Sequence, residues 1–309
     1  VSALSHFDAL VSYFDNNYDY SVILPGAQDM EIIVNANMEN ALAGISRLAF
    51  GRTDISNYAN SRDVVAHELT HSIIRATSDL VYERQSGALN ESFADLFGVL
   101  ASDDGNWLIG EDIRASGIYL RNMANPADAQ TSLFAPLGYP QPFHLSQYKT
   151  LPINEDKGGV HIYSGIPNRF FYLLAEGNSG NPLGRQRTGQ LAFDAMVGLN
   201  ANATFFDFYL KMQSVTVTEA ELNAVLEAGE GVGFDLYDKT ETDVDASVRP
   251  SGENATVFLT PNFLNSSYDV NLQIFDSNNR TYEASQLYNL ATGSTSQQPA
   301  VAYFGNDTQ

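Results

Sequence analysis

The run His67-Glu68-Leu69-Thr70-His71 constrains this chain more than any other, because Glu91 follows twenty residues after His71 in the string Asn90-Glu91-Ser92-Phe93-Ala94-Asp95. Residues four apart on a helix share a face, so a helical run lets His67 and His71 grip one metal ion while Glu68 points toward a water held on it. Two imidazoles and one carboxylate leave an open coordination position, which separates a catalytic zinc from a closed structural one. Glu91 can supply that carboxylate. The flanking pattern predicts helices on both sides of the pair. Asp63-Val64-Val65-Ala66 reads as an apolar helix start, and residues 89–97 read as a second amphipathic helix.

Composition limits the alternatives. The chain has 309 residues, 44% hydrophobic and 11% aromatic, enough apolar surface for a sizeable core. Its 16 Lys and Arg stand against 37 Asp and Glu, and the resulting charge of −21 repels nucleic acid and anionic membranes. Nucleic acid is thereby set aside as a partner. No run approaches the ~20 apolar residues that cross a bilayer. Val1 opens without a basic or apolar signal segment, the start expected of a mature or trimmed product. The lack of cysteine excludes disulfides and thiolate metal ligands.

Along the chain, Leu4, Phe7, Leu10, Val11 and Phe14 predict an amphipathic first helix, followed by a turn at Pro25-Gly26. Strands are expected at Glu31–Ala36 and Ser46–Gly51, then two helices over 62–102 joined around Tyr82 to Gly87. Residues 103–157 read as irregular, with helices resuming after Gly165 and dominating to Phe234. An acidic linker is expected over 235–253. Beyond it, Tyr268, Val270, Leu272 and Ile274 alternate with polar residues in the period of a half-buried strand, and 257–259 and 300–304 are further strand candidates. The domain reading is therefore 1–234, a linker at 235–253, and a small β module at 254–309 that is cut short at Gln309.

Five strings in order, DVVAHELTH (63–71), SGALNESFADLFG (86–98), WLIGED (107–112), YLRNMANP (119–126) and GGVHIYSG (158–165), make the chain resemble the thermolysin-like zinc metalloendopeptidases over roughly residues 30–234. The resemblance implies an α+β fold with a shortened β-rich N-terminal lobe and a mainly helical C-terminal lobe, to which the β module is added. It implies one catalytic zinc on His67, His71 and Glu91, with Glu68 as general base. Asn90 and Asp95 would fix the two imidazoles. Tyr82 and His161 would bind the oxyanion, with Asp156 orienting His161. Arg121, Asn40 and Ala41 would hold substrate backbone, and Val64 and Leu120 would line a specificity pocket for hydrophobic side chains. Substrates would be peptides or proteins cut on the amino side of such residues, by a secreted or cell-surface enzyme.

Three departures from the family pattern accompany these matches. Only some forty residues precede Asn40, and Ala43 stands where a bulky aromatic is usual. Ser102, Asn106 and Leu108 replace carboxylates of a calcium cluster, leaving Asp63, Glu111 and Asp112 to bind at most one Ca²⁺. Two other functions were weighed. Met38-Glu39-Asn40 superficially resembles an aminopeptidase substrate motif, although the spacing from His71 to Glu91 is that of the endopeptidases. The chain could also be a non-catalytic adhesive or filament-forming subunit, with contacts or self-assembly mediated by the strand edges of the β module.

Overall fold

The computed structural model describes residues 3–18, 30–44, 46–53, 55–102, 104–113, 118–128, 140–178, 182–237, 253–262, 267–276 and 284–294. The expected turn at Pro25-Gly26, most of the acidic linker and the strand candidate at 300–304 lie outside them. The first helix, α1 (Ala3–Tyr18), buries Phe7, Leu10, Phe14 and Tyr18 along one stripe. Leu4 departs from the predicted face and is 59% exposed, because the first turn overhangs the core.

Strands β1 (Glu31–Val34), β2 (Ala41–Ala43) and β3 (Arg47–Phe50) form a sheet in the order β1-β3-β2, with β1 parallel and β2 antiparallel to β3. β1 stops short of the predicted Ala36 because Asn35 takes a left-handed φ of 58° that no strand continues through. The short strand β2 pairs Ala41 with Phe50 and Ala43 with Leu48 on one side only, so its other edge is an outer edge of the sheet.

Behind the sheet run α2 (Arg62–Ala76) and α3 (Arg84–Ser102). Asp63 in the first turn of α2 and Arg75 in its last complement the helix dipole. α3 is buried on every side from Arg84 to Ala101 and forms the axis of the molecule. Its polar residues Asn90, Glu91 and Asp95 are buried with it, so each requires a partner. Two short strands follow, β4 (Leu108–Ile109) and β5 (Arg121–Asn122), paired antiparallel. Trp107, the single tryptophan of the chain, is anchored before β4 by an indole N–H donated to Glu176 at 2.9 Å and by the Arg185 guanidinium 4.5 Å over its ring.

Helical structure resumes at Asp156, earlier than the pattern after Gly165 suggested. The reason is a left-handed turn over Asp156–Gly159, with φ between 49° and 92°, which carries no apolar periodicity and leads directly into α4 (Asp156–Tyr163). Gly87 lets α3 approach α4 closely, since a Cβ there would sit 2.4 Å from Val160 Cγ1. Four helices complete this part: α5 (Gly165–Glu176), α6 (Gly184–Val197), α7 (Phe205–Ser214) and α8 (Glu219–Val232). Reciprocal caps, Thr204 with Asp207 and Thr218 with Glu221, start α7 and α8, and each contributes about 1 kcal/mol. Phe93, Phe170, Phe171 and Phe208 cluster with ring centroids 5.3–5.7 Å apart. Each fully buried ring adds about 1.5–3 kcal/mol, and the cluster clamps α3 between Glu91 and Asp95.

The chain separates into two compact units, Val1–Gly233 and Phe234–Gln309. In the second, β6 (Glu253–Asn262), β7 (Ser267–Asp276) and β8 (Ala284–Ser294) pair antiparallel in that order, and the alternating run Tyr268–Ile274 lies in β7. Among the described residues no helix is long and apolar enough to cross a membrane.

Candidate active site

One turn of α2 separates His67 from His71, and their Nε2 atoms stand 3.0 Å apart. Glu91 on α3 faces both, with Oε2 3.5 Å from His67 Nε2 and Oε1 3.5 Å from His71 Nε2. The outer ring nitrogens are engaged elsewhere. His71 Nδ1 donates to Asn90 Oδ1 at 2.7 Å, and His67 Nδ1 lies 2.9 Å from Asp95 Oδ1, slightly off the axis of a hydrogen bond. With the protons on Nδ1, both Nε2 lone pairs converge on one point. Glu91 Oε2 is buried there with no hydrogen-bond partner among the described residues. One ligand atom from each of the three residues can be drawn together within 4.8 Å. Two imidazole lone pairs and an orphaned carboxylate oxygen are the donor set that suits zinc.

Asp95 ties this centre to its surroundings. Its carboxylate accepts Arg121 Nε at 2.7 Å, Arg121 Nη2 at 2.6 Å and Asn168 Nδ2 at 2.9 Å. Burial pushes the Asp95 carboxyl up, but Arg121 and His67 outweigh it and hold the group well below the usual range. Arg121 borders the cleft as predicted, yet it is only 5% exposed and two of its donor nitrogens are committed to Asp95. Asn168 was missed in the sequence. The available signal was an amide inside the otherwise apolar helix 165–175, a placement that demands a buried partner.

A cleft of about 620 Å³ opens over the centre. Asn40, Ala41 and Ala43 form its sheet side at the outer edge of β2, while Val64, Ile109 and Leu120 supply apolar wall. Glu68 lines the floor, and burial raises its carboxyl to about 7. Across from it, the Tyr82 hydroxyl donates to Glu91 Oε1 and lies 3.2 Å from His161 Nε2. Burial and the Glu91 charge raise the Tyr82 pKa, so its hydroxyl keeps its proton. Asp156 accepts from His161 Nδ1 at 2.6 Å and from the backbone N–H groups of His161 and Ile162 at 2.8 and 3.1 Å. Burial pulls His161 down, but Glu91 and Asp156 more than offset it and favour the imidazolium. Glu91 itself, pushed up by burial, is brought down to about 2 by His161, His67, His71 and Arg121. Gln141, also missed in the sequence, donates to the His161 carbonyl at 2.6 Å. The structure thus brings every sequence-predicted site residue to the metal centre, the cleft or their immediate partners. His6 and His144, read as structural, bond to the Ala59 carbonyl and cap a short turn.

The residual acidic cluster sits at the far end of α2. Asp63 is buried and accepts from the Ser61 hydroxyl, from Val64 N at 2.7 Å and from Gly110 N at 2.5 Å. Asn106 Nδ2 donates to Glu111 Oε1 at 2.6 Å, a protein donor where an ion would otherwise balance that oxygen. Burial beside Asp63 raises Glu111 to about 7. These residues do not fit a pair of adjacent divalent ions.

Sequence models of two domains match the chain: "Thermolysin metallopeptidase, catalytic domain" over residues 1–75 and "Thermolysin metallopeptidase, alpha-helical domain" over 78–233. The chain belongs to the thermolysin metallopeptidase family. The protease PrtS of Photorhabdus sp. (strain Az29) is 39% identical over 186 residues, 55% of this chain and 49% of that protein. An extracellular metalloprotease of Pectobacterium carotovorum subsp. carotovorum is 34% identical over 223 residues, 64% of this chain and 63% of that protein. The chain therefore spans less than two thirds of the length of these relatives. Among solved structures, the precursor of protealysin, a metalloproteinase from Serratia proteamaculans, superposes with a TM-score of 0.64 at 28% identity, covering 75% of this chain and 77% of that one. The thermolysin family membership accounts for a small N-terminal sheet backed by a mainly helical remainder, and it implies zinc at the His67, His71 and Glu91 centre.

Proposed function

We propose that this chain is a zinc-dependent endopeptidase that hydrolyses peptide bonds on the amino side of hydrophobic residues. The observation behind the reading is the convergence of two imidazole nitrogens and an orphaned Glu91 oxygen on one point of a cleft that Glu68 also borders. His67, His71 and Glu91 hold the ion. Zinc bound there supplies Lewis acidity, polarising a carbonyl and easing loss of a proton from water.

The remaining steps belong to the chain. Glu68, with a carboxyl raised to about 7, takes the proton of the attacking water and returns it to the departing amine, which must leave neutral. Tyr82 keeps its phenolic proton and His161 is held as an imidazolium by Asp156, so both remain donors to the oxygen on which negative charge develops. Asn90 and Asp95 fix the tautomers of His71 and His67. The outer edge of β2 at Asn40 and Ala41 offers backbone groups to an extended peptide, Arg121 lies at the cleft wall, and Val64 and Leu120 bury the side chain after the cut.

The active unit is read as 1–234, with 235–253 a linker and 254–309 a separate module outside the chemistry, whose strand edges would serve any surface contact or self-assembly. Names such as extracellular metalloprotease and extracellular elastase among the relatives support secretion. At most one Ca²⁺ is expected near Asp63, Glu111 and Asp112. The test is mass-spectrometric mapping of cuts in a denatured protein. Cuts should fall before Leu, Phe, Ile or Val, stop with chelator and return with Zn²⁺. Cuts after Lys or Arg, or stepwise loss from an amino terminus, refute the reading.

A further inference from the structure

Lys157 is conformationally out of place. Its backbone takes φ 55° and ψ 31°, between Asp156 at φ 49° and the pair Gly158 and Gly159 at 83° and 92°. The turn as a whole has a clear purpose, since it delivers the Asp156 carboxylate to three groups of the His161 segment. A left-handed position is met at little cost by Gly or Asn, however, and at a cost by a long unbranched residue such as Lys. Strain of this kind persists where the side chain has work to do. Within the fold Lys157 has none: it is exposed, borders the cleft beside His161, and has no ion-pair partner among the described residues.

The charges of the cleft point the same way. Arg121 is neutralised by Asp95, and Glu91 is committed to the metal centre with its histidines. Besides Glu68, whose part is the proton transfer, the unpaired charges on the cleft wall are Arg75, Lys157 and a single carboxylate, Asp79. Cations outnumber acids there, although acids outnumber cations by 37 to 16 over the whole chain. An isolated positive rim in a negative field attracts carboxylate more effectively than the same lysine on a basic surface.

Resting on the peptidase reading above, we propose that Lys157 is a specificity-determining residue that selects peptides carrying an Asp or Glu side chain within one or two residues of the scissile bond. The test uses the zinc-loaded chain and peptides that share one hydrophobic cut site and differ only by Glu or Gln at each flanking position. At low salt kcat/KM should favour Glu at one position by roughly 2- to 5-fold, the range of a partly exposed ion pair, and the preference should shrink at molar salt. Lys157→Asn, which suits a left-handed backbone, should abolish the preference, and Lys157→Glu should invert it. Lys149→Glu makes the same charge change at an exposed position outside the cleft lining and should leave the preference intact. A Glu to Gln ratio near one in the wild type, or one unchanged in Lys157→Asn, overturns this proposal while leaving the peptidase standing. Failure to cut any of the peptides overturns both.

Discussion

Replacing Asp95 by Asn tests whether the metal centre is held by charge or by shape. The substitution keeps the size of the side chain and removes one negative charge from a group that is fully buried. Arg121, 5% exposed, would lose a bidentate partner at 2.6 and 2.7 Å, and the new amide would turn an N–H group toward donors from Arg121, Asn168 or His67. Removing one member of a buried ion pair costs about 3–5 kcal/mol, because the surviving charge stays desolvated. Loss of an outer partner of a ligating histidine costs about 10- to 100-fold in metal affinity. Denaturant unfolding in excess chelator isolates the first effect, and competition with a zinc indicator measures the second. Asp95→Asn with Arg121→Met should recover more than half of the lost stability, since neighbouring charges are not additive. A loss below about 1 kcal/mol with zinc affinity intact, or strict additivity in the double variant, would refute the reasoning.

Glu68→Gln should bind zinc with wild-type stoichiometry and lose about 10²–10⁴-fold in turnover, because the ligands remain while the base is gone; near wild-type turnover would remove Glu68 from that role. Calorimetric titration of zinc-loaded protein should register one Ca²⁺ or none, and two bound ions would contradict the Asn106 to Glu111 bond as a replacement for cation. A bond from Arg187 at 2.7 Å lowers Glu221 from its ordinary 4.5 to about 2, so the stability it contributes is complete above about 4.5 and disappears as pH falls toward 2. Arg187→Ala should therefore cost about 0.5–1 kcal/mol at pH 7, allowing for solvent screening, and nothing near pH 2; a gap that is constant with pH would sink this assignment.

Local chemistry made much of this molecule readable. Both histidines and Glu91 were visible because a helix converts sequence spacing into a shared face, and the capping boxes at Thr204 and Thr218 were likewise written in adjacent residues. What stayed hidden is non-local. Strand β2 has three residues, too few to show a period, and exists because β3 pairs with it. The left-handed turn at Asp156–Gly159 concealed the start of α4, since backbone handedness has no hydrophobic signature. Asn168 reaches Asp95 across 73 positions of sequence, and only the packing of α5 on α3 brings the two together.

The anchoring of Trp107 gives the protein a built-in optical reporter. Tyrosines number 16, but with one tryptophan in the whole chain, red-edge excitation isolates a single indole. That indole is buried, bonded to Glu176 and covered by Arg185, so its emission should be blue-shifted in the folded state and move to the red when β4 detaches from α5. Asn106 and Leu108 flank it, so the same signal senses cation binding at the acidic cluster, while His67 and His71 are far enough along α2 that zinc removal without unfolding should leave it nearly silent. One fluorescence trace can thus separate loss of the catalytic ion from loss of the scaffold.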